Sequence, residues 1–370
     1  MKTQAPSGPL RLPTLLIVAT LLAACSGGIN YEGEVVPVAA SLETTPVESA
    51  DDAADDPAIW RNPATPRQSL VLGTDKQRGL AVYDLAGALQ QFIAVGLINN
   101  VDLRSTDGGA IAVASHDGRN VVALFSVDGS TGSVHYSGEF PTGHEEPYGI
   151  CIGRAASALL VAVTYKDGLV QLFDIADSDY PVGGVTTFTE ALPLAAPPLW
   201  RTLQLDSQLE GCVFDDDEQR LFIGEENAGL WSVTLTSREA APTLVAKLDD
   251  GSGLVADVEG VSLWAGAGGQ GWLLVSAQGA NQFVVMDRQP PHGTRGVFSV
   301  ALPAEEGNDP VRETDGLDVI AAPLGAAYPR GLLVVQDGEN RSPDAHQNFK
   351  FIDWRAVETA LGLPVVPLAN

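Results

Sequence analysis

The sequence predicts an all-β fold, a six-bladed β-propeller, and three observations lead there. Helical periodicity is scarce along the 370 residues, whereas short runs of Val, Leu, Ile and Phe are punctuated throughout by Gly, Asp and Asn. A polar or acidic residue opens an apolar strand at six places, roughly 45–60 residues apart, the spacing of propeller blades. A second strand, a polar tip and a third strand then follow in the same order. A two-sheet β-sandwich is the alternative, but it gives no reason for polar residues to recur at matching places. Radial repetition does, and it also protects the sheet edges.

Residues 1–24 read as an export leader. Lys2 and Arg11 precede an apolar stretch from Leu15 to Ala24 that is too short for a comfortable membrane span. It closes on Leu22-Ala23-Ala24-Cys25, followed by Ser26. That string resembles a bacterial lipoprotein lipobox, whose cysteine becomes the lipidated first residue; an ordinary signal peptide with an incidental cysteine is the alternative. Ser26 in place of Asp implies, by the same resemblance, the outer membrane of a Gram-negative bacterium. The expectation is an exported protein held by lipid at Cys25, touching membrane through that anchor only. A flexible tether is expected over 25–45 and the propeller over 46–370.

The six openings are Ala54-Asp55-Asp56-Pro57, Asn100-Val101-Asp102, Glu146-Pro147-Tyr148-Gly149, Leu209-Glu210-Gly211, Val258-Glu259-Gly260 and Thr314-Asp315-Gly316. Second strands follow at Leu70–Gly73, Ala110–Val113, Leu159–Val163, Leu221–Gly224, Trp272–Val275 and Leu332–Val335. Polar tips such as Thr74-Asp75-Lys76, Ser115-His116-Asp117 and Tyr165-Lys166-Asp167 end them, and third strands carry aromatics such as Tyr83 and Phe173. In a propeller all openings point to one end of the central channel. Openings and tips are therefore expected to share one face. Cys151 and Cys212 lie in apolar strands, where a disulfide and two buried thiols are equally consistent with the sequence.

The net charge is −26, from 47 acids against 21 bases. Such a balance excludes nucleic acid as a partner. It also disfavours an anionic substrate unless bound cations invert the local field. The converging face collects Asp55, Asp56, Asp102, Glu210, Glu225, Glu226, Asp257, Glu259, Asp309, Asp315 and Asp337. Oxygen ligands without His or Cys favour calcium over zinc; a solvated acidic rim is the plain alternative. Lys76, Arg78, Arg119 and Lys166 are the interspersed bases, each able to grip a phosphate oxygen or to form a surface ion pair.

Two strings carry a resemblance to a known family: Asp52-Ala53-Ala54-Asp55-Asp56-Pro57-Ala58-Ile59-Trp60 and Asn99-Asn100-Val101-Asp102-Leu103-Arg104. With Gln208-Leu209-Glu210-Gly211, Thr314-Asp315-Gly316, Gln336-Asp337-Gly338-Glu339-Asn340 and Gln347-Asn348-Phe349-Lys350, the chain resembles the β-propeller phytases from about Glu43 to Trp354. The resemblance implies a calcium-dependent phosphomonoesterase that acts as a 3-phytase on phytate or other inositol phosphates. It implies several Ca2+ ions and a substrate that enters as a calcium salt. It places Asp56, Glu210, Glu226, Asp257, Glu259, Gln278 and Tyr148 around the ions of the cleavage site, with Glu226, Glu259, Glu210 and Asp257 in the catalytic role. Glu43, Asp55, Asn100, Val101 (by its carbonyl), Asp309 and Asp337 match structural calcium positions. Lys76, Arg78, Arg119, Lys166 and Tyr148 would meet substrate. A monomer is expected.

The chain departs from that family in two places. Gln77 stands where a second Lys is usual, and His116-Asp117-Gly118-Arg119 replaces an Asn-Arg pair. Both changes touch phosphate binding rather than calcium binding. Two other readings compete. Pro291-His292-Gly293-Thr294-Arg295 is superficially similar to the start of histidine acid phosphatases, but lacks the leading Arg. A non-catalytic calcium-binding propeller lipoprotein that binds a surface ligand is the other, since propellers often bind without catalysis.

Overall fold

The computed structural model describes Met1 and residues 33–175, 193–301, 309–341 and 344–369. Among these, six antiparallel sheets stand in a ring. The inner strands are Ala54–Trp60, Ile98–Thr106, Pro147–Ala155, Leu209–Asp215, Val258–Ala265 and Leu317–Ile320, for blades 1 to 6. Each touches the next, and the sixth returns to the first, which closes the ring. The protein is a six-bladed β-propeller, and every opening read from the sequence begins an inner strand.

Both faces of a blade pack on neighbouring blades, so side chains alternating along a strand feed two different cores. Leu72, Val82, Ala112 and Phe125 fill the interface of blades 1 and 2. Val113, Leu124, Val161 and Phe173 fill that of blades 2 and 3. The same arrangement continues to Tyr83, Val334 and Phe349 between blades 6 and 1. This explains strands that read as continuous apolar runs rather than as one wet and one dry face.

Two segments expected in the tether belong to the fold. Val35–Val38 adds in parallel to the outer strand of blade 5, and Leu42–Glu43 supplies the outer strand of blade 6 against Asn348–Asp353. The propeller therefore takes in the chain from Val35, ahead of the expected boundary at 46. Val35-Val36-Pro37-Val38 and Leu42-Glu43 are too short to show an alternating pattern of their own; their strand character comes from the edges they cover. Cys25 and the leader lie outside the described residues. Among the described residues no helix is long and apolar enough to cross a membrane.

An extra residue bulges five of the six inner strands at the same place. Asp55-Asp56, Asn99-Asn100, Tyr148-Gly149, Glu210-Gly211 and Glu259-Gly260 each sit opposite a single residue of the second strand. A bulge interrupts the ladder and re-aims its side chains. Hydroxyls on the second strand meet the freed backbone groups. Asp56 N donates to Thr74 Oγ1 (3.0 Å), Thr164 Oγ1 to Glu210 O (2.7 Å) and Ser276 Oγ to Thr314 O (3.0 Å). Glycine follows the functional residue because blades meet there. A Cβ on Gly149 would lie 2.0 Å from Glu210 O, and one on Gly211 2.3 Å from Glu259 O.

Cys151 and Cys212 form a disulfide between the inner strands of blades 3 and 4 (Cα–Cα 5.7 Å), closing a loop of 61 residues. The chain-entropy account assigns such a loop about 4 kcal/mol, and native disulfides usually contribute about 2–5 kcal/mol. The Cys151→Ala, Cys212→Ala protein is expected to lose about that stability in denaturant unfolding while keeping its β-sheet signal. An unchanged midpoint would show that the crosslink contributes nothing to the ring.

Candidate active site

Because the bulges recur, one mouth of the channel receives Asp55, Tyr148, Glu210, Glu259 and Asp315 from different blades. Asp55, Glu210 and Glu259 are buried, and Glu226 joins them from the tip of blade 4 at 8% exposure. One carboxylate oxygen each from Glu210, Glu226 and Glu259 lies within 4.8 Å of the others. Both oxygens of Asp55, Oε1 of Glu226 and Oε2 of Glu259 have no hydrogen-bond partner. Buried carboxylates without donors are costly unless a cation or protons meet them. Oxygen ligands at this density fit a hard divalent ion such as calcium.

Charge at the mouth follows from this crowding. Burial, then the neighbouring Glu259, pushes Glu210 well above the usual carboxylate range. Burial also holds Glu259 up, at about 8, with Glu226, Asp315 and Asp55 adding to it. Asp55, Asp56 and Glu226 are raised as well, by burial first and then by acidic neighbours. Lys76 enters this cluster. Burial opposes its charge, but Asp55, Asp315 and Asp52 outweigh burial and the net shift is upward. Its Nζ is 2.7 Å from Asp52 and 3.1 Å from Asp315.

The other expected residues divide into three places. Asp257 and Gln278 sit at the mouth: Gln278 N donates to Asp257 O (3.0 Å), and its Nε2 to Asp315 Oδ1 (2.6 Å). Lys166 Nζ lies 4.1 Å from the centre of the Tyr148 ring and its charge reaches Glu226. Open hollows of about 350 Å3 and about 540 Å3 lie on the two sides, one lined by Asp52, Gln278 and Asp315, the other by His144, Lys166 and Asp167.

A second place joins blades 1 and 2, where Asp56 Oδ2 accepts from Val101 N (3.1 Å) beside Asn100. The third lies on the outer part of blade 6. There Glu43, Asp309 (3.0 Å) and Asp337 (3.1 Å) surround Lys350 Nζ. Three carboxylates exceed one ammonium by two charges, and Asp337 Oδ2 and Asn348 Oδ1 accept no hydrogen bond. This donor set also fits a divalent cation.

Some expectations are corrected. Asp102 lies deeper in the channel, accepting from Ile152 N (2.8 Å) and paired with Arg104 (3.3 Å). Glu225 accepts from Ser207 and from Trp231 Nε1 (2.7 Å) and braces its own blade. Arg119 turns outward to Glu139 (2.6 Å), and Arg78 pairs with Glu48 over the Phe92 ring. Neither arginine reaches the carboxylate cluster. His292 is a packed turn residue, its Nδ1 3.1 Å from Asp287 O and its ring edge-on to Phe222, which removes the histidine-phosphatase reading. Asp315 stands at the mouth, bound to Lys76 and Gln278, although the resemblance gives it no ligand role. The acid-Gly pairs Glu210-Gly211, Glu259-Gly260 and Asp315-Gly316 were the signal that would have included it.

Comparison with known proteins agrees with this geometry. The protein-family model described as Phytase matches residues 11–365. The 3-phytase of Bacillus subtilis (strain 168) is 32% identical over 376 residues, covering 95% of this chain and 95% of that protein.

The raised carboxylates give a pH dependence with a definite sign. A carboxyl whose pKa is higher in the folded state binds its proton more tightly there. Its contribution is full below the unfolded value and is lost as pH rises through the folded value. For Glu259 that window runs from the ordinary 4.5 to about 8. In chelator, stability is expected to fall between pH 5 and 8.5, by up to about 1.4 kcal/mol per pH unit for each proton involved. Urea unfolding across that range checks it; stability that rises with pH in chelator contradicts it.

Proposed function

We propose, from the premise that the chain belongs to the phytase family and is a phytase hydrolysing phosphate monoesters of phytate, that its reaction depends on calcium held at the acidic mouth of the channel. The observation that carries this reading is the buried set Glu210, Glu226 and Glu259, with oxygens within 4.8 Å of each other and partners missing. Asp55, Asp257, Gln278 and Asp315 complete the donor set; we read Asp55 at the mouth and Asp56 at the structural position, the reverse of what the resemblance implies. Bound calcium would supply charge neutralisation at phosphate oxygens and acidify water in the site.

The remaining chemistry belongs to the side chains. Lys76 and Lys166 flank the cluster and bind phosphate oxygens by charge-assisted hydrogen bonds. Two grips from the tips of blades 1 and 3 suit an inositol ring that carries several phosphates. Tyr148 sets the position of Lys166 and walls the site with its ring. Glu226, buried at the tip of blade 4 and with Oε1 unpartnered, orients the attacking water and takes its proton. The water attacks phosphorus in line, the bond to the inositol oxygen breaks, and that oxygen takes up a proton from solvent to leave as the alcohol. No covalent enzyme intermediate is required. Glu43, Asp309 and Asp337 around Lys350, and Asp56 with Asn100 and Val101, are read as structural calcium positions.

We also read the chain as an exported lipoprotein anchored through Cys25 in an outer membrane. Lys2, Arg11, the apolar run and Leu22-Ala23-Ala24-Cys25 support it. Cys25→Ser is expected to move the protein from the membrane to the soluble fraction. Equal fractionation of mutant and parent would end the lipobox reading.

Calcium-titrated phosphate release from phytate tests the central reading. Activity is expected to vanish in chelator and return with calcium; turnover indifferent to calcium contradicts it, and binding of phytate without any turnover would favour a pure binder. Glu226→Gln is expected to be folded by circular dichroism and slowed about 10²–10⁴-fold. Lys76→Ala is expected to keep turnover at a higher KM, since a lost phosphate contact acts mainly on binding. A Glu226→Gln protein with parental turnover would remove that residue from the mechanism.

A further inference from the structure

Lys76 is proposed above to grip a substrate phosphate, yet its ammonium is already engaged by two carboxylates. The two are unlike. Asp315 is 15% exposed, also accepts from Gln278 Nε2 (2.6 Å), and its amide donates to Gln336 Oε1 (3.0 Å). Removing it from Lys76 would break that network. Asp52 is 73% exposed, and among the described residues no other side chain pairs with its carboxylate. It can leave by a side-chain rotation.

The backbone beneath Asp52 is fixed. Lys76 N donates to Ala53 O (2.7 Å), and Ser49 N to Asp75 Oδ2 (3.2 Å). Ala53 N and Ala54 N both donate to Gln347 Oε1 (2.7 and 2.8 Å). Gln77 adds the lacing where the resembled family carries a lysine: its Nε2 donates to Ala50 O (2.8 Å) and Asp52 O (3.2 Å). The loop thus holds an exposed carboxylate over Lys76 without letting the loop itself drift.

We propose that Asp52 is a positioning residue for the phytase reaction: its carboxylate occupies the seat on Lys76 that a substrate phosphate takes, and so competes with phosphate from within the chain. This rests on the phosphate-binding role of Lys76. Before substrate arrives, Asp52 keeps Lys76 extended into the mouth and neutralised. An incoming phosphate displaces a carboxylate bound through one exposed ion pair, a weak contact. After hydrolysis, Asp52 recaptures Lys76 and shortens the stay of the freed phosphate. A ligand that must displace an internal competitor binds with an apparent affinity lowered by the fraction of time the seat is closed.

The experiment uses the calcium-loaded full chain and reads inhibition of phytate hydrolysis by inorganic phosphate, together with KM and the calcium half-activation point. Asp52→Asn, and Asp52→Ala as a second variant, are expected to tighten phosphate inhibition and lower KM by about two- to fivefold, the range that an exposed pair supplies. The calcium half-activation point should stay parental. In a Lys76→Ala background the Asp52 substitution should have no further effect. Unchanged or weaker phosphate inhibition in both Asp52 variants overturns the proposal. So does a shifted calcium requirement with parental phosphate inhibition, which makes Asp52 a metal ligand instead. If Lys76→Ala alone leaves KM and phosphate inhibition parental, the role of Lys76 fails, which is a separate result from failure of Asp52.

Discussion

The active mouth depends on one repeated constraint, the extra residue near the start of the inner strands. In an unbroken ladder, consecutive side chains point to opposite faces. At the bulge the ladder loses one step, and Asp55, Tyr148, Glu210 and Glu259 face the channel mouth while the next residue is a glycine or, as Asp56, reaches Val101 N of blade 2. The second strand makes this tolerable by placing Thr74, Ser115, Thr164, Ser276 and Gln336 where backbone groups would lack partners. Gly149 and Gly211 allow the neighbouring bulge to close in. Local backbone, blade packing and chemistry therefore meet at the same residues.

That geometry gathers carboxylates more tightly than they would choose. Each is pushed toward its protonated form by burial and by its neighbours, and few positive groups answer. Lys76 answers at the centre and Lys350 on blade 6, and each is exceeded by its acidic partners. Bound cations would turn this excess into attraction for a polyanion, which is the physical reason for proposing that calcium couples to phytate here. The deeper channel differs in its partners: Arg104 pairs with Asp102 and Asp216 (3.3 and 3.4 Å), and backbone amides donate to Asp102 and Asp318, so the acids below the mouth have donors that Asp55 lacks.

Much of this was legible in the sequence, and the reasons are particular. The six openings could be read because the same polar-to-apolar change recurs, and Glu210 and Glu259 because an acid precedes a glycine at matching places. The closure of blades 5 and 6 by Val35–Val38 and Leu42–Glu43 was not legible, since those residues are strands only by virtue of the edges they meet. Arg78 and Arg119 carry the right charge for phosphate, but Glu48 and Glu139, distant in sequence, turn them away. Asp102 lies two residues after a signature Asn-Asn pair, and so beyond the bulge it faces the deeper channel. The disulfide was a choice between two chemistries that only the distance between Cys151 and Cys212 could decide.

The central claim is that the carboxylates of Glu210, Glu226 and Glu259 exist to hold calcium. Anomalous diffraction from crystals grown with calcium tests it most directly. The account predicts a peak about 2.3–2.6 Å from oxygens of these three residues, the distance range of calcium–oxygen ligation. Fully protonated carboxylates hydrogen-bonded to one another, with no anomalous peak among them at saturating calcium, would contradict it.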